Sequence, residues 1–151
     1  MEARISPMLV EHISSVVELE QRCQLSSRGA EGYTKLLEEP LSVLFVSLDK
    51  DSNVIGCFSG WLVADELEID NVAVAPDWRR FGIGANLITS ALHAASQKGA
   101  VQAFLEVRSS NSAACLLYEK IGFMVSGRRK DYYRDPVDDA LILSCKIADL
   151  R

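Results

Sequence analysis

The sequence predicts an α/β protein: a meander of strands first, then a strand–helix–strand–helix order. Three observations support this. Residues 42–48, 54–63 and 66–75 read as consecutive strands joined by short polar turns, Asp49-Lys50-Asp51-Ser52-Asn53 and Ala64-Asp65. Beyond them Leu87, Ile88, Ala91, Leu92 and Ala95 recur at helical spacing. Val101, Ala103, Leu105 and Val107 then alternate with Gln102, Phe104, Glu106 and Arg108, the period of a strand.

Taken in order, residues 4–10 read as a short first strand. Residues 11–24 follow as a helix with a partial stripe of Ile13, Val16, Val17 and Cys23. Ser26-Ser27-Arg28-Gly29 breaks that pattern, and a second helix over 30–38 ends before Pro40. In the third strand of the meander Glu66, Glu68 and Asp70 alternate with Leu67 and Ile69. The helix after it stops at Gly99. Ser110 or Asn111 caps the next one, which turns Ala114, Leu117 and Ile121 inward and stops at Gly122. Residues 123–146 read as two strands around a turn at Asp135-Pro136. No repeat, linker or low-complexity tract interrupts the chain, so a single domain over 1–151 is expected.

Composition bounds the function. At 151 residues the chain is long enough to bury a core, and 48% hydrophobic with 25% charged residues is ordinary for a soluble protein. No apolar run approaches the ~18 residues of a membrane span, and Met1-Glu2-Ala3-Arg4 opens no apolar leader. A net charge of −5 argues against general nucleic-acid binding. Cys23, Cys57, Cys115 and Cys145 form no C-x-x-C pair and read as reduced thiols of a cytoplasmic protein, and His12 and His93 are too isolated to suggest a metal site.

The stretch Asp70 to Ala85 carries the strongest functional signal. Val72-Ala73-Val74 reads as a buried strand, Pro76 as a turn, and Arg79-Arg80-Phe81-Gly82-Ile83-Gly84 as a loop at a helix start. Unpaired N–H groups and the positive helix end converge there, two glycines permit close backbone approach and unusual dihedrals, and two arginines add charge. Together they make a site for a polyanion, most simply a pyrophosphate. A Walker loop needs Gly-Lys-Ser/Thr, but Gly84 is followed by Ala85-Asn86; the dinucleotide fingerprint needs a third glycine where Leu87 stands. A plainer alternative is a helix cap with surface arginines.

This loop resembles the pyrophosphate loop of the GNAT N-acetyltransferases, Gln/Arg-x-x-Gly-x-Gly/Ala, at each defined position. The resemblance implies the GNAT fold, a mixed sheet of six to seven strands flanked by four helices, and acetyl-CoA as cosubstrate. It assigns cofactor contacts to Val72, Ala73 and Val74, to Arg79, Arg80, Phe81, Gly82, Ile83, Gly84 and Ala85, and to Asn111 and Tyr118. Ala85 stands where the family often has a basic residue, which weakens one phosphate contact.

Acetylating an amine from a thioester requires a deprotonated amine, donors for the developing oxyanion and a proton for the leaving thiolate. Glu106, at the C-terminal end of its strand, is placed to be the base, and Tyr118 to be the acid. Glu68 is the reserve candidate for the base. Asn111, Cys115 and Tyr118 stand at i, i+4 and i+7 on one helix face. Each has a plainer reading: Asn111 as an N-cap, Tyr118 as a core ring, Cys115 as a packed small residue, Glu106 as the ion partner of Arg108, and the 66–70 carboxylates as a solvated face. Trp61 and Trp78 read as packing residues.

Within the family, Asn71-Val72-Ala73-Val74, Leu105 to Asn111, Leu117 to Phe123, Arg128 to Tyr133 and Asp138 to Leu143 resemble the ribosomal-protein-alanine N-acetyltransferases. That likeness implies Glu106 as base, Tyr118 as acid and the N-terminal amine of a ribosomal protein as acceptor. The segment Leu25-Ser26-Ser27-Arg28 departs from the subfamily's Pro-Trp-Ser pattern, so the reaction is better supported than the acceptor. Two other readings stay open: a small-molecule amine as acceptor, against which Arg128-Arg129-Lys130 would set three cations, and a CoA-binding regulatory module without catalysis. Oligomeric state is not legible.

Overall fold

Seven strands form one sheet in the order β1-β2-β3-β4-β5-β7-β6 in the computed structural model, which describes residues 2–150. The elements are β1 (Arg4–Pro7), α1 (Ile13–Arg22), α2 (Gly29–Leu37), β2 (Ser42–Leu48), β3 (Val54–Val63), β4 (Glu66–Val74), α3 (Ile83–Gln97), β5 (Gln102–Arg108), α4 (Ser112–Ile121), β6 (Met124–Tyr133) and β7 (Asp138–Lys146). The first strand is shorter than the sequence suggests: it ends at Pro7, with the Met8 N–H still bonded to the Leu44 carbonyl (3.1 Å), and Val10–His12 form a 3-10 turn leading into α1.

Two layers of helix cover the centre of the sheet. On β3, a Cβ added at Gly56 would touch Leu87 and Ile83 of α3, while the next residue, Cys57, faces α1. Consecutive strand residues point to opposite faces, so α1 and α2 lie on one side and α3 and α4 on the other. Cover on both sides explains why Ile55 to Gly60 are all buried, an unbroken run instead of an alternating one. The edge strand β6 has no such cover and is largely exposed. No helix among the described residues is long and apolar enough to cross a membrane.

Only β4 and β5 run parallel, and they pair briefly. Their register holds at Glu66–Gln102, Leu67–Ala103 and Glu68–Phe104 and then stops, so the C-terminal halves of the two strands diverge. A bulge in β4 contributes. Ser59 of β3 stands opposite Asn71 and Gly60 opposite Ile69, which leaves Asp70 as the extra residue. A Cβ at Gly60 would lie 2.7 Å from the Glu68 carbonyl oxygen, so the bulge needs glycine there.

Candidate active site

The gap between β4 and β5 exposes backbone. Ala75 N–H bonds to the Ile55 carbonyl (2.8 Å), which makes 75–55 a hydrogen-bonded pair of the β3–β4 ladder. Such pairs alternate along an antiparallel ladder, so the backbone groups of Ala73 turn toward β3 and those of Val72 and Val74 turn into the gap. The Val74 carbonyl instead accepts from Arg79 Nε (3.2 Å) and from the Cys23 thiol (3.6 Å).

At the end of β4 the chain makes a 3-10 turn over Pro76–Trp78 and enters the loop before α3. Arg80 takes a left-handed conformation (φ 71°) and so does the N-cap, Gly82 (φ 78°), where glycine avoids the steric cost. Gly84 has no such dihedral, so of the two roles expected of the glycine pair Gly82 takes the unusual backbone angle and Gly84 the close approach. Its role is space: an added Cβ would come 3.2 Å from Leu117 of α4 and 3.7 Å from Val74. The first intrahelical bond is Asn86 N–H to the Gly82 carbonyl, and no side chain caps the helix. The N–H groups of Ile83, Gly84 and Ala85 therefore stay free for an anion. Arg80 and Phe81 are exposed on the same loop. Arg79 is turned back, its Nη2 against Cys23 Sγ at 3.6 Å, so its guanidinium braces the loop against α1.

Across the gap, Asn111 begins α4. Its Oδ1 accepts from Ala114 N–H (3.1 Å), the cap that the plainer reading describes. The preceding residues are tethered by Asp138 of β7, which accepts from the Ser109 hydroxyl (2.7 Å), the Ser110 hydroxyl (2.6 Å) and the Ser110 N–H (3.2 Å). The two serine hydroxyls hold the Asp138 carboxyl down to about 2. Further along α4, Tyr118 is 5% exposed, its ring edge-on to Phe123 at 5.2 Å. Burial pushes its phenol well above the ordinary tyrosine range, and among the described residues the hydroxyl has no hydrogen-bond partner. Cys115 is half-buried beside it.

Glu106 lies on the α1/α2 face of β5, in line with Phe104 and therefore with Glu68. It does not pair with Arg108. The Arg108 guanidinium donates to the carbonyls of Pro136 (2.8 Å) and Arg134 (2.9 Å) and stacks on Tyr133, whereas Glu106 Oε1 receives Arg129 Nε at 3.2 Å. Two of the three expected cations are thus neutralised, since Arg128 pairs with Asp139. Nor are Glu68 and Asp70 of β4 simply solvated. Glu68 accepts from the Trp61 indole (3.2 Å), and Asp70 pairs with Arg28 (3.2 Å), whose guanidinium lies 4.2 Å over that same indole.

One carboxylate went unread in the sequence. Glu20 of α1 is wholly buried and accepts from Tyr33 Oη (2.6 Å), Asn71 Nδ2 (2.7 Å) and Ser27 Oγ (2.8 Å). A signal existed: Glu20 continues the apolar stripe of Ile13 and Val16 at i+7 and i+4.

This architecture has close counterparts. The family model described as the acetyltransferase (GNAT) family matches residues 13–123. A Bacillus subtilis (strain 168) protein provisionally named a ribosomal protein bS18-alanine N-acetyltransferase is 37% identical over 142 residues, covering 93% of each chain. The Escherichia coli (strain K12) ribosomal protein bS18-alanine N-acetyltransferase is 38% identical over 89 residues, 58% of this chain and 60% of that one. The crystal structure of the Escherichia coli ribosomal-protein-S18-alanine N-acetyltransferase superposes with a TM-score of 0.86 at 27% identity, covering 97% of this chain and 94% of that chain. With the family match spanning most of its length and the parting strands and uncapped helix in place, this chain belongs to the acetyltransferase (GNAT) family.

Proposed function

We propose that this protein transfers the acetyl group of acetyl-CoA to the N-terminal α-amine of a protein, of the ribosomal-protein-alanine kind that its relatives are named for. The observation that supports this reading is the parting of β4 and β5 beyond Glu68–Phe104, with the uncapped N-terminus of α3 at its mouth. In the proposed arrangement the N–H groups of Ile83, Gly84 and Ala85 hold the pyrophosphate, with Arg80 adding charge. The backbone of Val72 to Val74 serves the pantetheine arm and the developing oxyanion. Asn111 contributes its free amide Nδ2.

Glu106 takes the proton of the attacking amine, directly or through water. An α-amine has an ordinary pKa of ~7.7–8.0, so near neutral pH a modest base suffices. Tyr118 donates to the departing thiolate, its hydroxyl being protonated throughout the neutral range. Attack is direct, so Cys115 has no covalent role.

The test is thiol release from acetyl-CoA with a panel of acceptors: peptides beginning with Ala, Ser or Met, polyamines and aminoglycosides. Selective turnover of an Ala-initial ribosomal peptide is expected. Turnover of small amines alone would keep the chemistry and overturn the acceptor. CoA binding without any turnover would leave a binding module.

A further inference from the structure

We propose that Glu20 is a positioning residue for the acceptor side of this site, an inference that rests on the acceptor face lying beside Glu106 and Glu68. Its carboxylate is 0% exposed, and each donor aimed at it comes from a different segment: Ser27 from the α1–α2 connection, Tyr33 from α2 and Asn71 from β4. A buried carboxylate is costly to desolvate, and an apolar side chain would suit the α1 stripe better for stability alone. What the carboxylate supplies is geometry.

That geometry converges on the bulge. Asn71 directly follows the extra residue Asp70, and its Nδ2 donates both to Glu20 and to the Ser26 carbonyl (2.7 Å). Both amide hydrogens are thus spent tying the bulge to the α1–α2 connection. With Asn71 drawn inward, Asp70 is left outside to take Arg28. Ser27 Oγ, besides donating to Glu20, accepts the Gly29 N–H (3.0 Å), which sets where α2 begins. The segment Leu25 to Arg28 therefore stands as a wall along the face that carries Glu68 and Glu106, and Glu20 decides how that wall meets β4. Among the described residues, no hydrogen bond to Glu20 or Asn71 comes from 82–87 at the start of α3.

The separation of the two regions gives the test. In Glu20→Gln an NH2 replaces one acceptor oxygen and confronts donors that need an acceptor. Tyr33→Phe removes a single bond and leaves the ring in place. KM for whichever amine the wild type turns over best should rise about tenfold in Glu20→Gln and less in Tyr33→Phe, with kcat and CoA affinity within about twofold of wild type. Amide exchange at 25–29 and 70–72 should quicken about tenfold while 82–87 keep their protection. An unchanged KM with a folded protein would overturn the proposal. So would a joint loss of KM, kcat and CoA affinity in both variants, the mark of a merely structural residue. If the wild type acetylates no peptide, the acceptor reading fails by itself, and Glu20 is judged with the amine that is used. If no amine is used, exchange decides: unchanged protection at 25–29 and 70–72 overturns it.

Discussion

Arg129 on β6 reaches past β7 to Glu106 on β5, Nε to Oε1 at 3.2 Å, and so fixes the carboxylate proposed as the base. Glu106→Gln should lower kcat by about a hundredfold or more and leave CoA affinity unchanged. Arg129→Ala should cost about tenfold in kcat/KM by freeing the carboxylate rotamer, a loss that should vanish in the Glu106→Gln background. Steady-state kinetics of the two single variants and the double variant check both. An unaltered rate in Glu106→Gln would move the base to Glu68.

Tyr118 is the second test. Its phenol is raised by burial, so the hydroxyl stays protonated beyond the ordinary value of ~10, and kcat should show no fall from this group up to about pH 10. Tyr118→Phe should slow thiol release about ten- to a hundredfold. The same shift has a stability consequence. A raised pKa in the folded state leaves stability intact below the unfolded value and removes it as pH climbs above, so the variant should unfold less steeply in alkali, as followed by circular dichroism.

Asp138 gives the opposite sign. Its carboxyl is held at about 2 by the Ser110 and Ser109 hydroxyls, so its contribution is present above the ordinary carboxylate range and lost as pH falls toward about 2. Those serines precede the Asn111 cap. Asp138→Asn should therefore loosen the start of α4 and weaken CoA binding several-fold at neutral pH, and the affinity difference between variant and wild type should shrink as the wild-type carboxyl is protonated. Calorimetric titration across acid pH reads both effects.

The two loop glycines should fail differently. Gly84→Val would drive a branched side chain into Leu117, 3.2 Å from the Cβ position, and into Val74, and CoA binding should be lost. Around Gly82 nothing lies within 4 Å, so Gly82→Ala meets only the left-handed backbone, a cost of about 1–2 kcal/mol, and should lower Tm while retaining weakened binding. Thermal melts and CoA titrations separate the two.

Much of this was legible beforehand, and for local reasons. The spans 42–48 and 54–63 were readable because a polar turn separates two apolar runs, and they are β2 and β3 residue for residue. The Arg79–Gly84 loop was readable because a strand, a turn and a helix start occupy consecutive positions. The apolar run Met8-Leu9-Val10 extends the strand signal past Pro7, and only the 3-10 turn over Val10–His12 shows where the chain turns toward α1. Arg108 was a natural partner for Glu106 by strand spacing, yet β6 supplies a closer cation from 23 positions away.

The sequence by itself thus determined the alternation of strands and helices, the free N–H groups at the start of α3 and the residue types able to move protons, all encoded in short runs through turn chemistry and periodicity. Tertiary structure alone decided where β4 and β5 part, which cation meets Glu106, and that Glu20 is buried at the centre of a polar network. Those features depend on strand register and on contacts between distant segments, as with Glu20 and Asn71, 51 positions apart. Spacing along the chain carries no record of them, because they exist only once the sheet has brought those segments together.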